Sequence, residues 1–584
     1  MSAHRSLPAL ALLVALAVAG VLRPTPAQAA PPPIRHVFVI VLENESASTT
    51  FGPGSPAPYL STTLRSQGAY VPHYFGTGHF SNDNYISMIS GQAPNPQNQA
   101  DCNTFNDMLP GTIGANGQAL GTGCVYPTSV PTIASQLDAA GFTWRDYNDS
   151  MGATPTREAS VCGHPALNSS DGTQKATAED QYATRHNPFV YFHGIIDNTT
   201  LCDTHVVSLD PLVHDLSSAA TTANYSFITP SLCNDGHDAP CANGQPGGLA
   251  QVNTFLRTWV PRITGSPAFK QNGLLIITFD ESENSDTSSC CGEIAGPNSP
   301  SPGISGPGGG DVGAVLLSPC ISPGTVTQTA YNHYTMLRSV EDIFSLRHIG
   351  YAGLGGETSF GSDVFTRACA QPPPVTRVRA PAVASSVGAG PAIPVSWRAS
   401  GRSAAASFAV QVRQTSSGSH LWRTLRASTT RRSLTFRGRL GQSYQFRVSA
   451  TNAVGLTGAF GTASTVVPSG VRIRGGRYRG SWRVSRLRGA WQGQASVSST
   501  AGSSFTLSYS GGAVTLIGRK WSRGGVARVT LDGHTRTIGL HSARNRARVV
   551  VYRSAVRSGR HRLQVQVVSG DVALEGVAIA VRSR

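Results

Sequence analysis

Between residues 34 and 365, uninterrupted apolar runs alternate with segments of helical period. "IRHVFVIVLE" (34–43), "NYSFITPS" (224–231), "GLLIITFDE" (273–281) and "GAVLLSP" (313–319) are continuous, as strands covered on both faces must be. Among the intervening segments, "VPTIASQLDAAGF" sets Ile133, Leu137 and Ala140 on one helical face, and "NHYTMLRSVEDIFSL" does the same with Met336, Val340 and Ile343. The alternation predicts an α/β domain around a mostly parallel sheet, ending near Cys369. The proline cluster of "CAQPPPVTRVRAP" then reads as a linker. Beyond it the helical period is gone. Short alternating strands such as "IPVSWRAS", "SFAVQVRQ" and "SYQFRVSATNAVG" predict one all-β sandwich up to residue 468. "SFTLSYSGGAVTLIG", "ARVTLDGHTRTIGL" and "HRLQVQVV" predict a second, jelly-roll-like one after it. The expected organisation is 1–30, 31–370, 371–468 and 469–584.

Composition changes this picture at three points. The first 30 residues combine a basic start, an apolar run and a small-residue "AQA" site, the pattern of a cleaved secretory signal, so the product is expected to be secreted, extracellular or cell-wall associated. No later stretch is long and apolar enough to predict a membrane span. All ten cysteines fall between Cys102 and Cys369, an even number that in an oxidising compartment favours disulfides; Cys233 and Cys241 stand where a bridge would close a short loop around "NDGHDAP". The net charge of +16 hides a division: residues 371–584 carry 33 Lys and Arg against 3 Asp and Glu, whereas the rest carries 14 against 28. The basic rear predicts an anionic partner, a cell-wall polymer or a lipid surface. The absence of interleaved aromatic stacking motifs argues against nucleic acid.

Chemistry concentrates where strands end, because a strand fixes its last residue and the following loop frees the side chain. "VFVIVLEN" delivers Glu43 and Asn44, and "LLIITFDE" delivers Asp280 and Glu281, an oxygen-rich set suited to a hard or borderline divalent cation. Ser81 precedes the helix-like "NYISMIS", where an anion is favoured, and a hydroxyl there needs a base or metal to become a nucleophile.

The ordered blocks "VIVLENESASTTFG", "HFSNDNYISMISG", "RHNPFVYF", "TPSLCNDGHD", "LLIITFDES" and "NHYTMLRSVEDIFSL" resemble the bacterial phosphoesterase family of acid phosphatases and phospholipases C, related to the alkaline phosphatase superfamily. The resemblance implies an alkaline-phosphatase-like α/β fold, one divalent metal ion held by Glu43, Asn44, Ser81, Asp280 and Glu281, and a phosphoserine on Ser81. By the same resemblance His79, His186, His237 and His333 line the phosphate or support the ligands. A protonated His79 or His237 is expected to be catalytic, giving a proton to the leaving oxygen, and Asn84, Asp235 and Asp238 are expected at the phosphate or behind the ligands. The substrate implied is a phosphate ester, a phosphomonoester first and a phospholipid phosphodiester as the alternative. A surface-binding protein with a dead front domain is the alternative from another class, and the intact set of five weighs against it. Where the family commonly has H-P-S-L-P-N-Y, this chain has H-F-S-N-D-N-Y. The loss of both prolines predicts a less rigid loop, and Asp83 beside the nucleophile predicts a raised serine pKa. In the rear, "SYQFRVSATNAVG" with Trp397 resembles a fibronectin type III domain, with Tyr444, Phe446, Val448, Asn452 and Gly455 in that family's positions.

Overall fold

The structure is a computed structural model. It describes residues 31–579 apart from 293, 370–371, 374, 385–389, 401–403, 416–420 and 471–475. The expected secretory signal at 1–30 lies outside the described residues.

The front of the chain is built on one eight-stranded sheet. Its strands in chain order are β1 (His36–Leu42), β2 (Ala69–Val71), β3 (Trp144–Asn148), β4 (Val206–Ser208), β5 (Tyr225–Thr229), β6 (Gly273–Phe279), β7 (Ala314–Leu317) and β8 (Thr325–Val326). In space they run β8-β2-β7-β6-β1-β5-β3-β4, and β7 alone is antiparallel to both of its neighbours. The four continuous runs read from the sequence are β1, β5, β6 and β7. Every residue of β1 and β6 is buried, which explains why neither shows a polar alternation. Each such side chain contributes about 1.5–3 kcal/mol by leaving water.

Four helices bear on the site or on the sequence expectations. Helix α1 (Ser81–Ser90) has all ten residues buried and ends at Gly91, whose φ of 66° is the left-handed stop that favours glycine. Helix α2 (Ile133–Ala140) opens with a capping box between Thr132 and Ser135. It buries Ile133, Ala134 and Leu137, while Ala140, expected inside, is exposed. Helix α3 (Gly248–Gly265) follows the loop after β5. Helix α4 (His333–Phe344) starts from Asn332, whose side chain accepts the Thr335 amide at 2.8 Å. It buries Met336 and Val340 as expected, with Ile343 half-buried. Five disulfides join Cys102–Cys124, Cys162–Cys202, Cys233–Cys241, Cys290–Cys291 and Cys320–Cys369, and no described cysteine is free.

The rear is all strand. Strands β9 (Val375–Arg379), β10 (Ala392–Ala399) and β13 (Ser433–Arg437) form one sheet; β12 (Arg423–Thr429), β11 (Ser407–Gln414), β14 (Ser443–Thr451) and β15 (Gly461–Val466) form another, in that order. Their inward residues, Ile393, Val395, Trp397, Phe408, Val410, Val412, Phe446 and Val448, make one core. The last unit differs from the expected pair of sheets. Strands β16 (Gly476–Arg479), β17 (Arg483–Arg486), β18 (Gln494–Ser498), β19 (Ser504–Lys520), β20 (Val526–Leu531), β21 (His534–Gly539), β22 (Arg546–Ser569) and β23 (Val572–Ile579) are hydrogen-bonded into a single antiparallel sheet, β17-β18-β23-β19-β22-β20-β21, with β16 on β19. The 17-residue β19 and 24-residue β22 pair along most of their length with three register shifts, which keep the ladder continuous through bends that would otherwise split it. Trp491, from this last unit, packs in the core of the middle one, so the two are joined by buried apolar contact. No helix among the described residues is long and apolar enough to cross a membrane.

Candidate active site

The parallel register sets Leu42 beside Phe279, so β1 and β6 release Glu43 and Asp280 side by side. Asn44 takes a left-handed φ of 59°, a conformation asparagine tolerates, and its backbone N–H donates to Asp280 Oδ1 at 3.1 Å. The Glu281 amide donates to the same oxygen at 2.6 Å. These two amides hold one Asp280 oxygen and leave Oδ2 buried without a hydrogen-bond partner.

Ser81 is the first residue of α1. The residue before it, Phe80, sits at φ 70°, strained for a bulky side chain, and its ring is 40% exposed. The loop into the helix is held by one side chain. Asn84 Oδ1 accepts from the Thr77 and Gly78 amides at 2.8 and 3.0 Å and from Thr77 Oγ1 at 3.2 Å; its Nδ2 donates to the Gly78 and Phe80 carbonyls at 2.9 and 3.1 Å. The loop that lost two prolines is therefore clamped by five hydrogen bonds, which replaces the looseness expected from their loss. The amide of Asn84 is used up in this clamp, so its place is in support of the loop. Ser81 Oγ donates to Glu43 Oε2 at 2.8 Å.

Asp83 is fully buried with neither carboxylate oxygen hydrogen-bonded among the described residues. Burial, then the charges of Glu281, Asp101 and Asp280, push it well above the usual carboxylate range. Its surroundings thus oppose the charge expected from the sequence beside Ser81. Gly78 is required here, because a Cβ on it would lie 2.7 Å from both Asp83 oxygens.

The histidines divide by what their nitrogens face. His79 is buried, with Nδ1 on Glu281 Oε2 and Nε2 on the Asp286 carbonyl at 2.9 Å; Glu281 Oε2 also accepts the Phe80 amide at 3.1 Å. Both ring nitrogens of His79 are thus engaged in placing Glu281. His333, the first residue of α4, donates through Nε2 to the Asp280 carbonyl at 2.6 Å and accepts from Tyr74 Oη at Nδ1, 3.2 Å away. Burial lowers its pKa to about 4, so it is neutral and fixes the Asp280 backbone. His186 lies flat on Tyr85, 5.2 Å between ring centres and 4° between planes. Its Nε2 is 3.4 Å from Glu43 Oε1 and its Nδ1 is 3.3 Å from Asp235 Oδ2. Burial first, then the charges of Arg185 and His237, lower its pKa well below the ordinary histidine value. The loop after β5, closed by Cys233–Cys241, brings Asp235, whose Oδ1 accepts the His237 amide at 2.8 Å. His237 is one-third exposed; its Nδ1–H donates to Asp238 Oδ1 at 2.8 Å, and its Nε2 accepts from Arg185 Nη2 at 3.1 Å.

Glu43, His186 and Asp235 form a buried group that could hold a metal ion, their ligand atoms all lying within 4.8 Å of one another. The surroundings fit a cation. Glu43 Oε1, Asp235 Oδ2, Asp280 Oδ2 and His186 Nε2 are buried without hydrogen-bond partners. Burial, and with it the charge of Asp280, pushes Glu43 and Asp235 well above the carboxylate range, and burial pushes Asp280 up to about 6 against the hydrogen bonds it accepts; positive charge beside these acids favours their ionisation.

Two participants had no role assigned from the sequence, although Arg185 opens the block "RHNPFVYF". Arg185, next to His186, is buried; Nη1 donates to the Gln174 carbonyl at 3.1 Å, Nη2 meets His237, and Nε makes no hydrogen bond. Asp101 accepts the Asn82 amide at 3.1 Å in the first turn of α1 and lies 3.8 Å from Arg185 Nε. Asp101 and Cys102 both have left-handed φ, 51° and 52°, and the Cys102–Cys124 bridge pins them there.

Comparison with known proteins meets this geometry from outside. A probable acid phosphatase of Kluyveromyces lactis is 24% identical over 316 residues, 54% of this chain and 59% of its own length. The phosphatidylinositol-3-phosphatase of Mycobacterium tuberculosis is 26% identical over 353 residues, 60% of this chain and 91% of its own. Among solved structures, Ps i-CgsB in complex with k-i-k-neocarrahexaose covers 63% of this chain and 84% of that one at 12% identity and a TM-score of 0.35, a likeness that carries no argument. The family model described as the phosphoesterase family matches residues 54–347, half of the chain and all of α1, β5 and β6: the protein belongs to the phosphoesterase family.

Proposed function

We propose that the chain is a secreted, metal-dependent phosphomonoesterase that works through a phosphoserine on Ser81. The observation that carries this reading is Ser81 itself, the first residue of a fully buried helix, presented by the strained Phe80 and hydrogen-bonded to Glu43 among acids that need a cation. Glu43, Asn44, Ser81, Asp280 and Glu281 would hold that cation, or Glu43 with His186 and Asp235. When bound it supplies charge that ionises the serine and offsets the phosphoryl oxygens.

The chain's own residues do the rest. Ser81 Oγ donates to Glu43 Oε2 at rest and gives that proton to Glu43 as it forms the bond to phosphorus and the bond to the leaving oxygen breaks; the leaving oxygen takes a proton from solvent. Arg185, the buried guanidinium whose Nε makes no hydrogen bond, receives the phosphoryl oxygens. His237 Nε2 accepts from Arg185 at rest, so it suits the second half, taking a proton from the water that attacks phosphoserine while Glu43 returns its proton to the Ser81 oxygen. His79, His333 and Asn84 position Glu281, Asp280 and the serine loop. Among phosphate esters, a monoester is favoured by the relative named for removing a phosphate from phosphatidylinositol 3-phosphate. The phospholipase C alternative draws on one feature, the half-exposed Phe80 ring beside the nucleophile, an apolar surface for an acyl-bearing substrate.

Five disulfides fit an extracellular protein, and the chain is read as dividing near residues 370 and 468. The middle unit is read as a fibronectin type III domain. Its three strands face four, Trp397 meets Phe408 at 6.0 Å, and Tyr444 Oη accepts the Arg439 amide at 3.0 Å, a tyrosine corner. The basic rear is read as a dock for an anionic surface.

The test is turnover of a soluble phosphomonoester and of phosphatidylcholine, by native and Ser81→Ala protein, before and after chelation. Serine- and metal-dependent release from the monoester supports the reading. Release of phosphocholine from the lipid replaces it with a phospholipase C, and a Ser81→Ala protein retaining more than a few per cent of turnover removes Ser81 from the chemistry.

A further inference from the structure

The middle unit carries a feature that a spacer has no need of. Arg377, Arg379, Arg398 and Arg432 line a groove of about 910 Å³, together with Ser396, Trp397, Ala399 and Ser400. All four arginines are exposed. The register of β9 on β10 sets Arg377 directly opposite Arg398 and places Arg379 opposite Ser396 on the same face. Like charges opposed across strands destabilise a sheet. Residues 371–468 contain twelve arginines and no lysine, aspartate or glutamate, so this unit has no carboxylate of its own to set against them. Beneath this face Trp397, paired with Val378 in the same ladder, turns its indole into the core of the unit and is 2% exposed. Arg432 is held from the other side, its guanidinium 5.9 Å from the centre of the Phe408 ring.

We propose that this groove binds a linear phosphate polymer, whose successive phosphate oxygens accept from the four guanidinium forks. The groove is of the size that encloses an extended ligand segment, and four converging cations suit a ligand with several charges. Among the described residues, no exposed aromatic ring lines it to stack a base, which disfavours nucleic acid, and no exposed large apolar side chain lines it to enter a bilayer, which disfavours a lipid surface. The choice of phosphate over other oxyanions rests on the phosphoesterase reading; the existence of a polyanion groove does not. The site lies in the fibronectin-like unit, and it gives the anionic partner a specific address.

The test is binding of fluorescently labelled inorganic polyphosphate to the full-length protein over a range of salt, with a Ser81→Ala series so that the probe is not consumed. Four contacts give log K against log[salt] a slope of about −3, and Arg377→Gln/Arg432→Gln reduces its magnitude by about 1.4 and weakens binding at least tenfold at low salt. The comparison variant Arg528→Gln/Arg536→Gln removes the same charge from exposed positions on β20 and β21 and leaves binding within about twofold. Ser396→Glu, which puts an acid into the groove, weakens binding as well, so the result does not hang on one pair of arginines. Equal weakening by the comparison variant overturns the proposal in favour of net charge. Tighter binding to phosphatidylserine vesicles or to a single-stranded oligonucleotide than to polyphosphate, lost in the groove variant, overturns the ligand class. Groove-dependent binding in a protein without serine-dependent turnover upholds the groove while the catalytic reading falls.

Discussion

Charge of one sign is crowded twice in this molecule, and the two cases are built oppositely. In the loops after β1, β5 and β6, Glu43, Asp235, Asp280 and Glu281 are all buried, with ligand atoms of Glu43 and Asp235 within 4.8 Å of each other, and Arg185 is the guanidinium whose charge bears on Asp101, Asp235 and His186. On β9 and β10 the arginines are exposed to water and spread along a sheet face. Buried charges lose solvation, so the acids respond by rising in pKa and wait for a compact cation with fixed geometry. Exposed charges keep their water and salt screening, so the arginines suit an extended partner held by many weak contacts. The first arrangement suits a reaction centre and the second a tether.

Several outcomes test how far that contrast holds. If the buried acids are a cation site, Asp280→Asn lowers bound metal, read by elemental analysis, together with turnover by about two orders of magnitude; a fully metallated variant with normal rate removes Asp280 from the ligands. If Arg185 is the site's phosphate-binding cation, Arg185→Gln weakens inhibition by inorganic phosphate and raises KM by about tenfold to a hundredfold, as expected for a charge-assisted bond of about 1.5–3 kcal/mol. Unchanged phosphate inhibition in a folded variant would reduce Arg185 to a strut for residues 174 and 237. Gly78→Ala should cost about 1–3 kcal/mol in thermal or denaturant unfolding, because the new methyl meets both oxygens of a buried carboxyl that has no room to move.

A smaller effect compares a buried acid inside the site with one outside it. Asp146 on β3 is fully buried, Oδ2 accepts from Asn148 Nδ2 at 2.7 Å, and burial pushes it up to about 8. The folded state keeps a proton that the unfolded chain gives up near pH 4, so stability falls as pH rises from about 4 to about 8 and is level beyond. Asp146→Asn therefore raises Tm at pH 7 by several degrees and changes it little at pH 4, measured by calorimetry. An equal shift at both pH values would mean that packing, not ionisation, sets the cost.

Much of the site was legible along the chain. Glu43 with Asn44, and Asp280 with Glu281, could be read because each pair closes a wholly apolar run, and a parallel sheet aligns such ends by necessity. Ser81 and Asn84 could be read from one motif, since a helix start keeps its members within a turn. The roles of the histidines could not be read. His79 and His333 are spent on Glu281 and on the Asp280 carbonyl, more than fifty residues away in each case, and only folding shows which nitrogens remain. Arg185 stood at the head of "RHNPFVYF" without a role and Asp101 lay in none of the blocks, because their meaning lies in facing His237 and the first turn of α1. The pairing of Cys290 with its neighbour Cys291, and the single curled sheet of the last unit, were equally closed to a linear reading.

The linear order of residues was sufficient for strand and helix identity, for the division between an acidic front and a basic rear, and for the family motifs, because periodicity, composition and local spacing are properties of neighbours in the chain. Folding alone determined that Asn84 clamps the serine loop, that His186 stands between Glu43 and Asp235, and that Arg377 faces Arg398 across a groove. Those are contacts between positions tens to hundreds of residues apart or between particular side-chain atoms, and their register is set by how the apolar strands pack, which no short window of sequence contains.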